Sequence, residues 1–168
     1  MFDLLSEDEA EDRCNVFDVP LLASRLKLAT RLIQTHRETR DLPVGYFGAS
    51  TGAAAALWAA AELRSSIAAV VSRGGRPDLV GPRLAAVRAP TLLIVGGADQ
   101  DVLELNRQAH GELRCTSQLE IVPGATHLFE EPVALDAVAE LASEWFVRFL
   151  LAAADEAIPD PRGGSDES

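Results

Sequence analysis

Residues 44–58 read Val44-Gly45-Tyr46-Phe47-Gly48-Ala49-Ser50-Thr51-Gly52-Ala53-Ala54-Ala55-Ala56-Leu57-Trp58. A short apolar run, a serine between two glycines and an alanine tract follow one another without a break. The run predicts a buried strand over Pro43–Phe47, ended by Gly48. Alanine is the best helix former, so Thr51–Arg64 is expected to be a helix, with Leu57 and Trp58 as packing anchors. Gly48-Ala49-Ser50-Thr51-Gly52 matches the GxSxG nucleophile elbow, a sharp strand-to-helix turn that presents a serine hydroxyl above a sheet. The flanking glycines are expected to remove Cβ atoms that would strike the strand and the helix. The pentapeptide alone arises by chance in about one chain of this length in twenty. Its position between a predicted strand and a predicted helix makes it informative.

The same alternation extends in both directions. Leu22, Leu26, Ala29 and Ile33 recur at helical spacing, predicting an amphipathic helix over Asp18–His36 with Asp18 as its cap. Downstream, Ile67–Ser72 is a second strand closed by Gly74–Gly75, and Thr91–Val95 is a third closed by Gly96–Gly97. Asp101–Arg114 suits a helix with Asp101 at its start. Gln118–Val122 is a fourth strand ended by Pro123–Gly124, and Leu135, Val138, Ala142, Trp145 and Phe149 mark a last helix over Ala134–Leu151. Wholly apolar strands separated by helices mean an α/β fold: a parallel sheet covered by helices on both faces. Residues at the carboxyl ends of such strands form the site.

A serine nucleophile needs a base, and the base needs an orienting acid. Asp99 follows the third strand in Val95-Gly96-Gly97-Ala98-Asp99, and His127 follows the fourth in Pro123-Gly124-Ala125-Thr126-His127. Asp101 is the rival acid, with helix capping as its alternative role. His36 ends a helix and His110 lies within one, so both are expected to be solvated surface residues. Arg73 and Arg76, in the loop after the second strand, are candidates to hold an anionic group of a substrate, since guanidinium forks suit carboxylate and phosphate. The chain between this loop and Ala89 is too short for a cap domain, which predicts an open, shallow pocket.

The formal charge of −11 is concentrated at the ends. Residues 1–12 carry six acids and no base, residues 155–168 carry five acids against Arg162, and the body between is nearly neutral. Nothing in that distribution points to nucleic acid or an anionic membrane as partner. Cys14 and Cys115, far apart and without a CxxC spacing, make no zinc site or disulfide framework and are expected to be reduced thiols. No metal or cofactor is implied. No signal segment opens the sequence, and no apolar run approaches the ~20 residues that span a bilayer. A cytoplasmic protein is expected. Residues 1–151 are taken as the folded domain and 152–168 as an acidic, disordered tail.

Val44–Ala60, Val70–Leu79, Pro90–Asp99 and Pro123–Pro132 together resemble the dienelactone hydrolase-like branch of the α/β-hydrolase superfamily. They are most similar to hydrolase domains found alone or fused to phosphoribosyltransferases in actinobacteria and proteobacteria. The resemblance runs from about Asp3 to Leu150. It implies the carboxyl-terminal part of an α/β-hydrolase fold, with Ser50 as nucleophile, Asp99 as acid and His127 as base. Dienelactone hydrolases proper carry cysteine as nucleophile, so serine argues against transferring their substrate. A complete member of the family would have about four further strands before Met1, including an HG-containing loop that donates one backbone N–H to the oxyanion hole. The N–H of Thr51 would be the only donor left, and losing one typically costs about 10²–10³ in rate.

Two functions fit this reading. One is a serine hydrolase acting on a small-molecule acyl substrate through an ester, thioester or lactone carbonyl. The other is a non-catalytic remnant acting through protein association. In either case the first strand becomes an exposed apolar edge, and a homodimer joined through that edge is expected unless residues 1–5 fold back over it.

Overall fold

The computed structural model describes residues 2–157. Four strands, β1 (Gly45–Ala49), β2 (Ala69–Arg73), β3 (Thr91–Gly96) and β4 (Ser117–Val122), form one sheet. They lie in the order β1-β2-β3-β4, all parallel. Ahead of the sheet come the short helices α1 (Glu7–Ala10) and α2 (Arg13–Phe17) and the long α3 (Val19–Thr35). The crossovers are α4 (Thr51–Leu63) from β1 to β2, a 3₁₀ stretch (Pro77–Ala86) from β2 to β3, and α5 (Gln100–Glu112) from β3 to β4. The helix α6 (Ala134–Ala157) follows.

Period-two alternation divides the sheet residues between two cores. Tyr46, Val70 and Leu93 face α3, α4 and α5, packing with Leu22, Ala56, Leu57 and Ala109. Val71, Leu92 and Ile94 face the other way, against Val138, Ala142 and Trp145 of α6. β2 and β3 are buried nearly end to end because both of their faces are covered. The predicted sheet and its two helical layers are therefore present.

Several boundaries differ from expectation. Gly48 does not end β1: it pairs with Ser72, and Ala49 pairs with Arg73, so the strand runs up to Ser50 itself. The predicted start at Pro43 falls outside because proline has no N–H for the ladder. Helix α6 continues to Ala157 instead of ending at Leu151, since Ala152, Ala153 and Ala154 favour helix continuation. The remainder of the predicted tail, 158–168, lies outside the described residues.

The acidic amino-terminal stretch is organised as well as charged. Ser6 and Glu9 form a capping box at α1. Arg25 of α3 then grips the segment, donating to the Leu4 carbonyl at 2.8 Å and through both terminal nitrogens to the Glu9 carboxylate at 2.6 Å. The Arg25 guanidinium, helped by the Ser6 backbone, holds the Glu9 carboxyl at about 2, against an ordinary 4.5. A carboxyl with a depressed pKa stabilises the folded state fully above its ordinary value and loses that contribution as pH falls through its folded value. Acidification from pH 4.5 towards 2 is therefore expected to release residues 2–17 before the sheet. Amide exchange would show this as loss of protection confined to those residues; uniform loss across the chain would contradict it.

The two sheet edges are unlike. β4 carries Gln118 and Glu120, polar side chains of the kind that discourage edge pairing. β1 has β2 on one side only, and Phe47 is 46% exposed. Residues 2–6 line the groove beside this edge but form no strand on it.

Candidate active site

All four strands deliver their carboxyl ends to one end of the sheet: Ser50, Arg76, Asp99 and His127 lie in the turns that follow, Thr51 opens α4, and Arg73, expected in the loop after the second strand, is instead the last residue of β2. Ser50 directly follows β1 with φ 50° and ψ −122°, a strained conformation for a residue with a Cβ. Gly48 permits the turn. A Cβ there would stand 2.6 Å from the Gly52 carbonyl oxygen and 2.7 Å from Ala53 Cα, so only glycine lets the strand run this close to α4. The same expectation fails at Gly52, where a Cβ would meet nothing within 4 Å. Thr51 is the first residue of α4, and its N–H has no acceptor within the helix.

Backbone bonds fix Ser50 from both directions. Its N–H donates to the Arg73 carbonyl at 3.2 Å, and its carbonyl accepts from the Arg76 N–H at 3.2 Å. The loop after β2 thus brackets the serine. Within that loop Gly74 abuts the histidine turn: a Cβ built on it would lie 3.6 Å from His127 Cε1.

His127 Nδ1 hydrogen-bonds Asp99 Oδ2 at 2.8 Å. With Nδ1 engaged, Nε2 is the ring nitrogen left to face a nucleophile. Among the described residues no hydrogen bond joins Ser50 Oγ to the imidazole; the two are linked through the Arg73–Gly74 backbone. Asp99 also caps α5, accepting from the Val102 N–H through Oδ1 at 3.5 Å. The capping role expected of Asp101 therefore belongs to Asp99, whose two oxygens serve helix and histidine separately, while Asp101 is exposed in the first turn. Of the other histidines, His36 is exposed as expected, whereas His110 is half-buried with Nε2 3.4 Å from the Ser117 carbonyl oxygen.

The turn carrying His127 is held by groups that no sequence pattern announced. The Thr126 N–H donates to Glu131 Oε1 at 3.0 Å, which keeps the Glu131 carboxyl below its usual range. Phe129, fully buried, adopts φ 58°. The Arg73 guanidinium lies 5.4 Å from the centre of the Phe129 ring and donates to the Leu128 carbonyl at 3.4 Å.

The two arginines proposed for substrate binding are placed differently. Arg73 lines the groove along β1, and among the described residues it has no carboxylate partner. Arg76 is bound by two bonds of 2.8 Å to the Asp78 carboxylate, which raises its pKa and occupies the fork. The groove is open, about 870 Å³, and is lined by Leu4, Tyr46, Phe47, Thr51, Arg73 and Val138 among others. Ser50, Asp99 and His127 are not among its lining residues, so it flanks the serine turn along the β1 edge and is not the shallow pocket expected over the triad.

Cys14 is exposed and Cys115 half-buried; both are free, and burial raises the Cys115 thiol pKa. Among the described residues no cluster could hold a metal ion, and no helix is long and apolar enough to cross a membrane.

No protein-family model matches the chain. Two proteins of Mycobacterium tuberculosis, from strains CDC 1551 / Oshkosh and H37Rv, are each 60% identical over 150 residues. Both are provisionally named phosphoribosyl transferases, and the match covers 89% of this chain and 34% of theirs. The chain spans about a third of the length of these relatives. The esterase domain of a Rhodothermus marinus protein shares the fold alone, with TM-score 0.65 and 19% identity over 76% of this chain and 69% of that one. The crystal structure of dienelactone hydrolase from Anabaena variabilis superposes with TM-score 0.83 and 54% identity, covering 88% of this chain and 70% of that one. An identity so high over so much of a hydrolase that shares this sheet shows that the chain belongs to the dienelactone hydrolase-like branch of the α/β-hydrolase superfamily.

Proposed function

We propose that this chain is a serine hydrolase that cleaves an ester, thioester or lactone carbonyl, with Ser50, His127 and Asp99 as nucleophile, base and orienting acid. The observation that carries the reading is the 2.8 Å pair between Asp99 and His127 Nδ1, across the Arg73–Gly74 backbone from a serine at a strained turn. Ser50 Oγ attacks the carbonyl carbon while His127 Nε2 takes the hydroxyl proton. The carbonyl oxygen gains the electron pair and is met by the Thr51 N–H. Collapse of the tetrahedral adduct expels the leaving group, which receives the proton from His127. Water then attacks the acyl-serine with His127 again as base, releasing the acid and restoring Ser50. Asp99 accepts from Nδ1 and holds the imidazole in the tautomer that leaves Nε2 free to accept.

The apolar groove and the unneutralised Arg73 suit an acyl substrate that carries an anionic group. Arg76, already paired with Asp78, is a poorer candidate for that contact. The transferase name of the mycobacterial relatives describes proteins about three times as long, and we assign no transferase step to this chain.

A fluorophosphonate probe tests the proposal directly. Labelling should fall on Ser50, found by peptide mass spectrometry, and should be strongly suppressed in His127→Ala. A label on any other serine would refute the assignment of the nucleophile.

Association through the β1 edge remains a second reading, favoured by its one-sided pairing and by the exposure of Phe47. We propose that two copies join edge to edge, since a buried, unpaired backbone group costs about 1–3 kcal/mol. Light scattering at micromolar concentration should give the mass of a dimer or larger species. A stable monomer would leave residues 2–6 as sufficient cover for the edge.

A further inference from the structure

Asn106 is fully buried in the middle of α5, and no step of the proposed reaction uses it. Its Nδ2 donates to two carbonyls, Val102 one turn back at 2.8 Å and Gly75 in the loop after β2 at 3.0 Å. Only the amide nitrogen can donate to a carbonyl, so the orientation of the side chain is settled. Its Oδ1 is buried without a partner. A leucine would fill the same position without that orphaned acceptor, so the donors are what distinguish asparagine here.

The bond to Gly75 leads to the reaction centre through shared peptide groups. The carbonyl of Gly75 and the N–H of Arg76 belong to one peptide unit, and that N–H donates to the Ser50 carbonyl at 3.2 Å. The Ser50 carbonyl in turn shares a peptide unit with the Thr51 N–H, and it also accepts from the Ala53 N–H at 3.2 Å. Donation to a peptide oxygen draws electron density from the nitrogen and strengthens its N–H as a donor, so hydrogen bonds in series reinforce one another. The chain therefore runs from Asn106 Nδ2 through Gly75–Arg76 to Ser50–Thr51. Asp99 and Asn106 stand seven residues apart, about two helical turns, so they share a face of α5. One end of that face holds His127 and the other holds the loop that brackets Ser50.

We propose that Asn106 is a positioning residue for the oxyanion donor: through two peptide groups it orients and polarises the Thr51 N–H. This inference rests on the roles given above to Ser50 and Thr51.

The test uses Asn106→Leu in the full chain, with two readouts. In ¹⁵N-resolved spectra the amide protons of Arg76 and Thr51 should both shift upfield, while those of Phe47 and Val71 in the sheet stay in place. With an activated aryl ester, kcat should fall about tenfold at unchanged KM, less than the 10²–10³ of losing a donor outright. The low-field Nδ1–H signal of His127 should persist, whereas a general disturbance of α5 would move it as well. If Asn106→Leu fails to fold, Asn106→Ser provides the same test. Its hydroxyl can still bond the Val102 carbonyl but cannot reach Gly75. An unmoved Thr51 amide, or kcat within twofold of wild type, overturns the proposal. Ser50→Ala separates the two levels: if it removes turnover while Asn106→Leu does not, the hydrolase reading stands and this one falls. If Ser50→Ala retains turnover, the hydrolase reading itself has failed.

Discussion

Ser50→Ala is expected to lower kcat for an activated aryl ester by a factor on the order of 10⁴–10⁶, with His127→Ala close behind. The size follows from the proposed cooperation, in which base and acid act only through the serine oxygen, so removing it removes what all three would contribute. The double variant Ser50→Ala/His127→Ala should therefore be hardly worse than Ser50→Ala alone. Asp99→Asn should cost on the order of 10⁴, because an amide can donate to Nδ1 and so favours the wrong imidazole tautomer. The contrast lies two residues away. Asp101→Asn should leave kcat nearly unchanged, since Asp101 is exposed and Asp99 holds both the imidazole and the helix cap. Stopped assays on purified variants decide the matter. Residual turnover within tenfold of wild type in Ser50→Ala would move the nucleophile elsewhere.

Gly96→Ala is expected to be the most damaging small change away from the serine. A Cβ at Gly96 would stand 2.3 Å from the Ala125 carbonyl oxygen and 2.6 Å from that of Thr126. Both contacts are backbone, so no side chain can rotate away, and the turn carrying His127 must itself shift. Overpacking of this kind costs about 1–3 kcal/mol in stability, occasionally more. The larger loss should be in rate, because a catalytic group misplaced by about 1 Å can cost about 10²-fold. Thermal melts and ester hydrolysis on the same sample would separate the two effects. Wild-type kcat in a destabilised Gly96→Ala would show that the histidine turn moves independently of β3.

The middle of the sheet was legible because β2 and β3 are buried on both faces, which demands unbroken apolar runs such as Thr91–Val95. The elbow was legible because its geometry restricts residue types. Gly48 misled for the same reason: its missing Cβ serves the approach of α4, yet in sequence it looks like the end of a strand. The helices α1 and α2 went unseen because they are only four and five residues long, too short to show helical periodicity. Only the Ser6–Glu9 spacing hinted at order, and the anchor that makes it count, Arg25, lies sixteen residues beyond Glu9. Asp99 was preferred to Asp101 on the expectation that Asp101 caps the helix, yet Asp99 itself supplies the cap and bonds the histidine with its other oxygen. Asn106 was wholly hidden, since its partner Gly75 lies 31 residues earlier and meets it only in the folded chain.

The backbone of Ser50 also limits what could replace it. At φ 50° a side chain branched at Cβ crowds its own main chain, so threonine is disfavoured although it offers the same hydroxyl. Cysteine is unbranched and fits. The turn thus favours one substitution between two chemistries, oxygen ester and thioester, over the path through threonine. Within this scaffold, lineages could trade an alcohol for a thiol without rebuilding a single strand, and Ser50→Cys should fold as the parent does.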